Sequence, residues 1–219
     1  MERYITAVSN LPENLSMQEA QDWFCKTYGL LVAGVDEVGR GPVSGPVVAA
    51  AVILDPNNPI EELNDSKKLT DKKRKELMPL IKERALFWAI GEADHIEIDE
   101  INILNATFLA MRRALSQIES VVHIAVDGNH RIREVDPLIQ TPVIKGDGKV
   151  SAIAAASIIA KVHRDDFMDS LHEAYPQYNW KKNKGYPSKE HIEAIHQTGF
   201  SPYHRKSFHI KALDQYTLL

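Results

Sequence analysis

The sequence of 219 residues has little of several features that mark special classes of protein. Its single cysteine, Cys25, can form neither a disulfide framework nor a thiolate zinc site, so we expect a reducing, cytoplasmic location. No apolar run reaches the roughly 18 residues of a membrane span, and the first residues lack the apolar stretch of a secretory signal. The nine histidines form no His-Glu-x-x-His pattern, which argues against a zinc hydrolase, and we expect His191 and His196 to be surface residues.

What is present is an ordinary globular composition, with 44% hydrophobic and 26% charged residues. The formal net charge of −4 speaks against nucleic-acid binding when taken alone. However, phosphate binding needs a local basic surface rather than a basic total. Basic residues cluster at Lys67-Lys68, Lys72–Lys75, Lys181–Lys184 and Arg205-Lys206, although such runs can equally be solvated helix faces.

Apolar periodicity predicts an α/β domain in which a mixed sheet is flanked by helices. The predicted strands lie near residues 30–36, 47–54, 86–91, 123–126 and 141–144, and the predicted helices near 17–25, 71–84, 97–120, 150–174 and after Ser188. A glycine-rich link between the first two strands suggests a hairpin. We divide the chain into an N-terminal extension (1–29), a catalytic domain (30–174) and a helical C-terminal region (175–219).

Acidic residues occur where three of the predicted strands end. Asp36 and Glu37 follow the first strand, Asp127 the fourth and Asp147 the fifth. Ligand sites of open α/β sheets form at strand ends, and carboxylates without neighbouring histidines suit Mg²⁺ or Mn²⁺. Two such ions about 3.5–4 Å apart can activate a water and stabilise the leaving oxygen of a phosphodiester.

Each acidic position also has a simpler explanation. Asp127-Gly128 and Asp147-Gly148 could be plain turns, because both residue types favour turns. Asp36 and Glu37 are harder to explain in this way, since adjacent buried charges repel each other unless a cation compensates them. A regular strand would send these two side chains to opposite faces, so we expect a backbone turn near Val38-Gly39 or an indirect metal contact by one of them.

Gly39-Arg40-Gly41 follows the acidic pair directly and predicts a loop that binds phosphate. Glycines let a backbone approach a ligand closely, and an arginine supplies a fork of donors. A nucleotide-binding loop is the rival reading. It is excluded because no Gly-Lys-Ser/Thr ending is present and because Pro46 leads into a strand rather than a helix.

Eight segments, in order along the chain, closely resemble sequence blocks of the bacterial ribonuclease HII family. They are Val32–Pro42, Leu63–Leu69, Asp99–Leu104, Asp127–Asn129, Lys145–Asp147, Ala155–Asp165, Lys184–Pro187 and His204–Phe208. The departures are small: Ser188 stands where the family often has Thr, and Arg205-Lys206 where two arginines are usual. The resemblance implies a ribonuclease H-like fold with a small helical C-terminal appendage.

The resemblance also implies an activity. It implies a hydrolase that cuts the RNA strand of RNA/DNA hybrids, and the 5′ side of ribonucleotides embedded in DNA, in ribonucleotide and primer removal. The expected products carry 5′-phosphate and 3′-hydroxyl ends, and the expected cofactors are two Mn²⁺ or Mg²⁺ ions. The residues that match the family's metal-site carboxylates are Asp36, Glu37, Asp127 and Asp147.

The substrate residues carried over from the family lie in four segments. Gly39, Arg40 and Gly41 match the loop that reads the 2′-hydroxyl, the group that distinguishes RNA from DNA. Tyr186 matches the tyrosine that contacts the deoxyribose beyond the cut. Lys67, Lys68 and Arg205 match positions near substrate phosphates.

Two alternatives and one partner stay open at this point. A related DNA nuclease would use the same carboxylates, and a non-catalytic hybrid-binding module would carry them as structural groups. The tail Gln215–Leu219 resembles the short peptides that dock on bacterial sliding clamps, although a helix end packing on the domain would read similarly. We expect a monomer without membrane contact.

Overall fold

In the computed structural model, which describes residues 11–214, a five-stranded mixed sheet forms the centre of the molecule. Its strands are β1 (Val32–Val38), β2 (Val47–Leu54), β3 (Ala85–Ala93), β4 (His123–Asp127) and β5 (Gln140–Val143), in the order β3-β2-β1-β4-β5. The first three strands pair antiparallel, whereas β1, β4 and β5 are parallel. The carboxyl ends of β1, β4 and β5 therefore meet at one edge of the sheet.

Helices cover both faces of the sheet, which explains why successive residues of its central strands are buried. The helices are α1 (Met17–Tyr28), α2 (Asp71–Arg84), α3 (His95–Leu115), α4 (Ser151–Ala174), α5 (Trp180–Asn183), α6 (Lys189–Thr198) and α7 (Lys211–Asp214). Ala49 and Ala51 of β2 face α3, and their neighbours Ala50 and Val52 face α2 and α4. The predicted mixed sheet flanked by helices is thus confirmed. None of the helices in the described part of the chain is both long enough and apolar enough to cross a bilayer.

Helix α1 packs against the sheet rather than standing apart from it. Ser16 and Glu19 form a capping box at its start. Phe24 is fully buried in a cluster that includes residues of β1, β4, β5 and α4, and the Tyr28 ring stacks on His123 with ring centroids 3.6 Å apart. The buried Gln21 side chain accepts a hydrogen bond of 3.1 Å from the backbone N–H of Ala152, in the first turn of α4. Part of the segment predicted to be an extension therefore belongs to the core.

The C-terminal region packs on the loop between β1 and β2. Its core includes Trp180 and Tyr178, whose rings stack with centroids 5.0 Å apart, and it covers Val43 of that loop. Ser44 pairs with His204 in an isolated antiparallel bridge. The C-terminal region and the glycine-rich loop consequently form one structural unit.

Some sequence predictions need correction. Asp36 and Glu37 lie inside β1 rather than after it, because the strand continues to Val38. Helix α3 is kinked at Asn102, whose φ of 65° breaks the helix and whose side chain caps the N–H groups of Leu104 and Asn105. The prediction that His191 is a surface residue was wrong: its side chain is fully buried, because α6 packs that face against Trp180.

Candidate metal centre and substrate loop

Three predicted carboxylates meet at the edge of the sheet where β1, β4 and β5 end. Asp36 lies two residues before the end of β1, Asp127 is the last residue of β4, and Asp147 lies in the 3₁₀ turn Gly146–Gly148 after β5. One oxygen from each of the three lies within 4.8 Å of the others. The parallel strand ends, which are far apart in sequence, thus create a single group of oxygen ligands.

The electrostatics of this group are unfavourable without a cation. Burial, and then the negative charges of Asp127 and Glu37, raise the pKa of Asp36 well above its usual range. Burial is also the main cause that raises the pKa of Glu37 and of Asp127, and the neighbouring Asp147 raises the latter further. A bound divalent cation would reverse this cost, since it favours the ionised form of each carboxyl group.

Protein groups compensate only part of the negative charge. Asp127 Oδ1 accepts hydrogen bonds from the backbone N–H groups of Gly146 and Asp147, at 2.6 and 3.3 Å. The Lys67 Nζ atom lies 3.1 Å from Asp147 Oδ2 and occupies one place where a cation would bind. The donor set contains only oxygen, which fits Mg²⁺ or Mn²⁺ and not zinc. The residues present therefore suit the expected metal.

Glu37 lies beside the three aspartates but faces another direction. The β1 strand stays regular through Val38, so Asp36 and Glu37 project to opposite faces, as the sequence predicted for an undistorted strand. The Glu37 carboxylate forms an ion pair of 3.2 Å with Arg40, whose side chain is half exposed. The backbone turn expected here occurs at Gly39, with a φ of 95°, after both acidic residues have passed. Glu37 is thus placed to bind a metal only from the margin of the group.

Two buried arginines fix the glycine-rich loop from behind. The fully buried Arg164 donates to the carbonyl oxygens of Pro46, Ser44 and Lys184 at 2.9, 3.1 and 2.9 Å. A Cβ atom added at Gly39 would lie 2.3 Å from the Nε atom of Arg164, so only glycine fits there. The loop therefore rests directly on an arginine side chain.

Arg205 has a different position from the one expected for a phosphate contact. Its side chain is 1% exposed, and its guanidinium donates to the carbonyl oxygens of Gly39, Arg40, Pro42 and Gly45. Four of the five N–H donors of the guanidinium therefore have backbone acceptors, and the group is buried away from solvent. The geometry supports a role in shaping the loop, and it does not support direct binding of phosphate.

The remaining predicted substrate residues, Tyr186, Lys67 and Lys68, are exposed to solvent. The Tyr186 side chain is 48% exposed, and its ring lies against Gly41, where an added Cβ atom would be 3.2 Å from Tyr186 Cε1. Lys67 and Lys68 are exposed. Lys67 reaches the candidate metal centre through its ion pair with Asp147. Gly41 and Tyr186, which are distant in sequence, thus form one surface.

Sequence reasoning missed three residues that support the site. Arg164 belongs to a family block but was assigned no role, since a buried arginine that binds only backbone carbonyls leaves no sequence signal. Ser157 of α4 hydrogen bonds to the Asp36 carboxyl group, and its hydroxyl lies 2.8 Å from that of Ser66. Ser157 thus contacts Asp36 directly, and Ser66 supports Ser157.

Comparison with known proteins gives one consistent result. The family model described as Ribonuclease HII matches residues 33–211. The chain is 57% identical over 178 residues to a ribonuclease HII of Vibrio campbellii, an alignment that covers 81% of this chain and 84% of the relative. It resembles the ribonuclease H2 of Pyrococcus horikoshii OT3, with a TM-score of 0.67 and 30% identity over 84% of this chain and 97% of that one. It also resembles a chain of the PCNA:RNase HII complex from Archaeoglobus fulgidus, with a TM-score of 0.69 and 25% identity over 80% of this chain and 92% of that one. The fold is the one that these ribonucleases share.

Proposed function

We propose, from the premise that this chain belongs to the ribonuclease HII family, that it cuts DNA duplexes on the 5′ side of embedded ribonucleotides by a two-metal-ion mechanism. The family makes the chain a ribonuclease H, a divalent-metal-dependent hydrolase that acts on RNA/DNA hybrids. The cut position, the number of ions and the roles of the individual residues are the content of the proposal.

One observation carries the proposal: three carboxylates from separate strand ends converge beside a loop built to approach a sugar-phosphate backbone. Asp36, Asp127 and Asp147 could supply oxygen ligands at the edge of the sheet where β1, β4 and β5 end. The exposed backbone of Gly41 and the ring of Tyr186 form the adjacent surface. A scissile phosphate could therefore reach the metal ligands while its sugar contacts the loop.

The proposed roles follow from these positions. Asp36, Asp127 and Asp147 would hold the divalent ions, with Glu37 at the margin, and Asp147 would hold the more weakly bound one. When bound, the ions supply a Lewis acid that lowers the pKa of a water and neutralises charge on the phosphodiester.

The loop and its neighbours would recognise the junction between RNA and DNA. The backbone of Gly39, Arg40 and Gly41 would read the 2′-hydroxyl, and the Tyr186 ring would pack on the following deoxyribose. Lys67 and Lys68, whose side chains are exposed to solvent, would contact phosphates.

Cleavage of defined duplexes tests the proposal. A duplex with one embedded ribonucleotide should be cut 5′ of that residue in the presence of Mg²⁺ or Mn²⁺, and EDTA should stop the reaction. An all-DNA duplex of the same sequence should remain intact. Cleavage of both duplexes would instead indicate a DNA nuclease, and cleavage of neither would leave a hybrid-binding module.

A substitution in the metal centre tests the residue assignment. Asp36→Asn should cost most of the activity and retain the fold, because it removes a metal ligand while relieving the repulsion between buried carboxylates. Thermal unfolding in metal-free buffer should show a Tm at least equal to that of the unmodified protein. Full activity of this variant with Mn²⁺ would refute the assignment.

A further proposal concerns a partner of the tail. The segment Gln215–Leu219 lies outside the described residues, so its support is its sequence and the similarity of the chain to a ribonuclease HII that was solved in complex with PCNA. We expect it to dock on a sliding clamp. Removal of residues 214–219 should abolish co-migration with the clamp and spare cleavage, whereas an intact protein that does not co-migrate would end the idea.

A further inference from the structure

Two buried histidines, next to the backbone of Tyr186 and of the glycine-rich loop, take no part in the proposed chemistry. His191 of α6 and His204 are both fully buried, and their Nε2 atoms lie 3.0 Å apart. Trp180 covers the pair and donates its indole N–H to His191 Nε2 at 3.1 Å. Buried imidazoles that face each other need a defined arrangement of protons, since two like donors in contact would repel.

The surrounding donors and acceptors determine that arrangement. The backbone N–H of Ser201 donates to His204 Nδ1 at 2.8 Å, so the proton of His204 lies on Nε2. His191 Nε2 accepts from Trp180, so the proton of His191 lies on Nδ1. The contact between the rings is then a donation from His204 Nε2 to His191 Nε2, whose one lone pair is shared with the indole N–H of Trp180.

A second proton on either ring would meet a donor instead of an acceptor. Protonation of His191 Nε2 would face the indole N–H, and protonation of His204 Nδ1 would face the Ser201 N–H. Burial, assisted by the neighbouring His191, correspondingly lowers the pKa of His204 to about 4, and burial lowers the pKa of His191. Both rings therefore stay neutral, with fixed tautomers, over the range in which an enzyme of this kind works.

One end of this chain of hydrogen bonds is the backbone carbonyl oxygen of Tyr186. His191 Nδ1 donates to the Tyr186 carbonyl oxygen at 2.9 Å, and that oxygen also accepts from Ser188 at 2.8 Å. The Tyr186 ring is thus partly exposed beside Gly41, while its carbonyl oxygen is bound to a buried histidine.

The other end of the chain reaches the glycine-rich loop. His204 forms the isolated backbone bridge with Ser44, and the next residue, Arg205, donates its backbone N–H to Val43 and its guanidinium to Gly39. The histidine pair therefore links the backbone of Tyr186 to the glycine-rich loop.

We propose that His191 and His204 are positioning residues that set the location of the Tyr186 ring against Gly41, and through it the selection of the RNA–DNA junction. This inference rests on the proposed function, because Tyr186 matters only if it contacts the substrate. The pair acts as a neutral, directional connection: His204 Nε2 donates to His191 Nε2, which also accepts from Trp180, and His191 Nδ1 donates to the Tyr186 carbonyl oxygen.

Substitution of His204 separates positioning from catalysis. His204→Leu removes the donor to His191, whereas His204→Gln keeps an amide donor near the position of Nε2. On a duplex with one embedded ribonucleotide, His204→Leu should lower kcat/KM on the order of tenfold or more, as expected for a misplaced substrate contact. His204→Gln should recover most of that loss. Equal activity of the Leu variant and the unmodified protein would overturn the inference.

A double-mutant cycle links the effect to Tyr186. If the pair acts through this tyrosine, adding His204→Leu to a Tyr186→Ala background should change kcat/KM by less than about twofold, since coupled residues are not additive. An equal loss in both backgrounds would overturn the inference while the proposed function stands. Failure of the unmodified protein to cut at the ribonucleotide would instead sink the proposed function.

Nitrogen-15 NMR of the unmodified protein tests the arrangement without any variant that has to fold. The histidine side-chain spectra should show His191 as the Nδ1–H tautomer and His204 as the Nε2–H tautomer, both unchanged between pH 7.5 and pH 6. The opposite tautomer on either ring, or protonation of either ring at pH 6, would overturn the inference.

Discussion

The ion pair between Lys67 and Asp147 places a protein cation against a carboxylate of the candidate metal centre, and removal of the lysine should have a calculable effect on metal binding. The Nζ–Oδ2 distance is 3.1 Å, and the lysine side chain is 78% exposed while that of Asp147 is 7% exposed. A divalent ion that binds Asp147 has to displace this ammonium group. Lys67→Ala should therefore tighten binding of Mn²⁺ to the protein in the absence of nucleic acid.

The exposure of the lysine limits the size of the effect. Exposed ion pairs contribute about 0.2–1 kcal/mol, because water and salt screen the attraction and the long side chain loses rotamer freedom. Since 1.4 kcal/mol corresponds to about tenfold in a binding constant, Lys67→Ala should lower the Kd for Mn²⁺ by about fivefold at most. The gain should shrink as KCl is raised, because the surface charge is increasingly screened.

Titration of Mn²⁺ followed by electron paramagnetic resonance measures the change directly. Lys68→Ala is the matched control, since it removes the same charge one residue away and, of these two exposed lysines, only Lys67 is paired with Asp147. The control should shift the Kd less than Lys67→Ala does. If the two variants bind Mn²⁺ equally, or if Lys67→Ala binds it more weakly than the unmodified protein, the displacement argument is wrong.

Three further predictions concern the scaffold of the site. Phe24→Ala should lower the free energy of unfolding by about 3–5 kcal/mol in urea denaturation, because the ring is fully buried between α1 and the sheet; a cost below about 1 kcal/mol would show that α1 is dispensable. Gly34→Ala should destabilise the protein in the same assay despite removing a flexible residue, because the new Cβ atom would lie 2.2 Å from the backbone of Ala152; unchanged stability would contradict the close contact of β1 and α4. Burial lowers the pKa of His123 to about 4, whereas an unfolded histidine titrates near 6.5, so its contribution to stability is fully present above pH 6.5 and is lost as the pH falls towards 4, by up to about 3 kcal/mol. His123→Gln should flatten the dependence of unfolding free energy on pH in this window, and an unchanged slope would refute the assignment.

Periodicity and turn chemistry in the sequence determined most of the secondary structure. The apolar run of β2 and the bounds of α2 were predicted as the structure has them, because strong periodic patterns leave few alternatives. The acidic residues of the metal centre could also be found, since carboxylates after apolar runs are costly unless they have a purpose. The resemblance to the ribonuclease HII family supplied the predicted substrate residues, such as Tyr186.

The sequence did not reveal the groups that hold those residues in place. Arg205 was predicted at a phosphate and Arg164 was given no role, because one-dimensional patterns do not distinguish a buried arginine from an exposed one. Their burial depends on backbone carbonyls of a loop more than a hundred residues away in the chain. Only the assembled fold brings those acceptors and donors together.

By itself, the sequence therefore determined which chemical groups are present and in which local elements they lie. The tertiary structure decided that Asp36, Asp127 and Asp147 bring their oxygens together in one group while Glu37 turns to Arg40, because strand direction and the alternation of side chains set the side to which each points. It also decided that His191 and His204, to which the sequence assigned no role at the site, form a neutral pair behind Tyr186. Long-range packing buries both rings and determines whether each ring nitrogen donates or accepts a hydrogen bond.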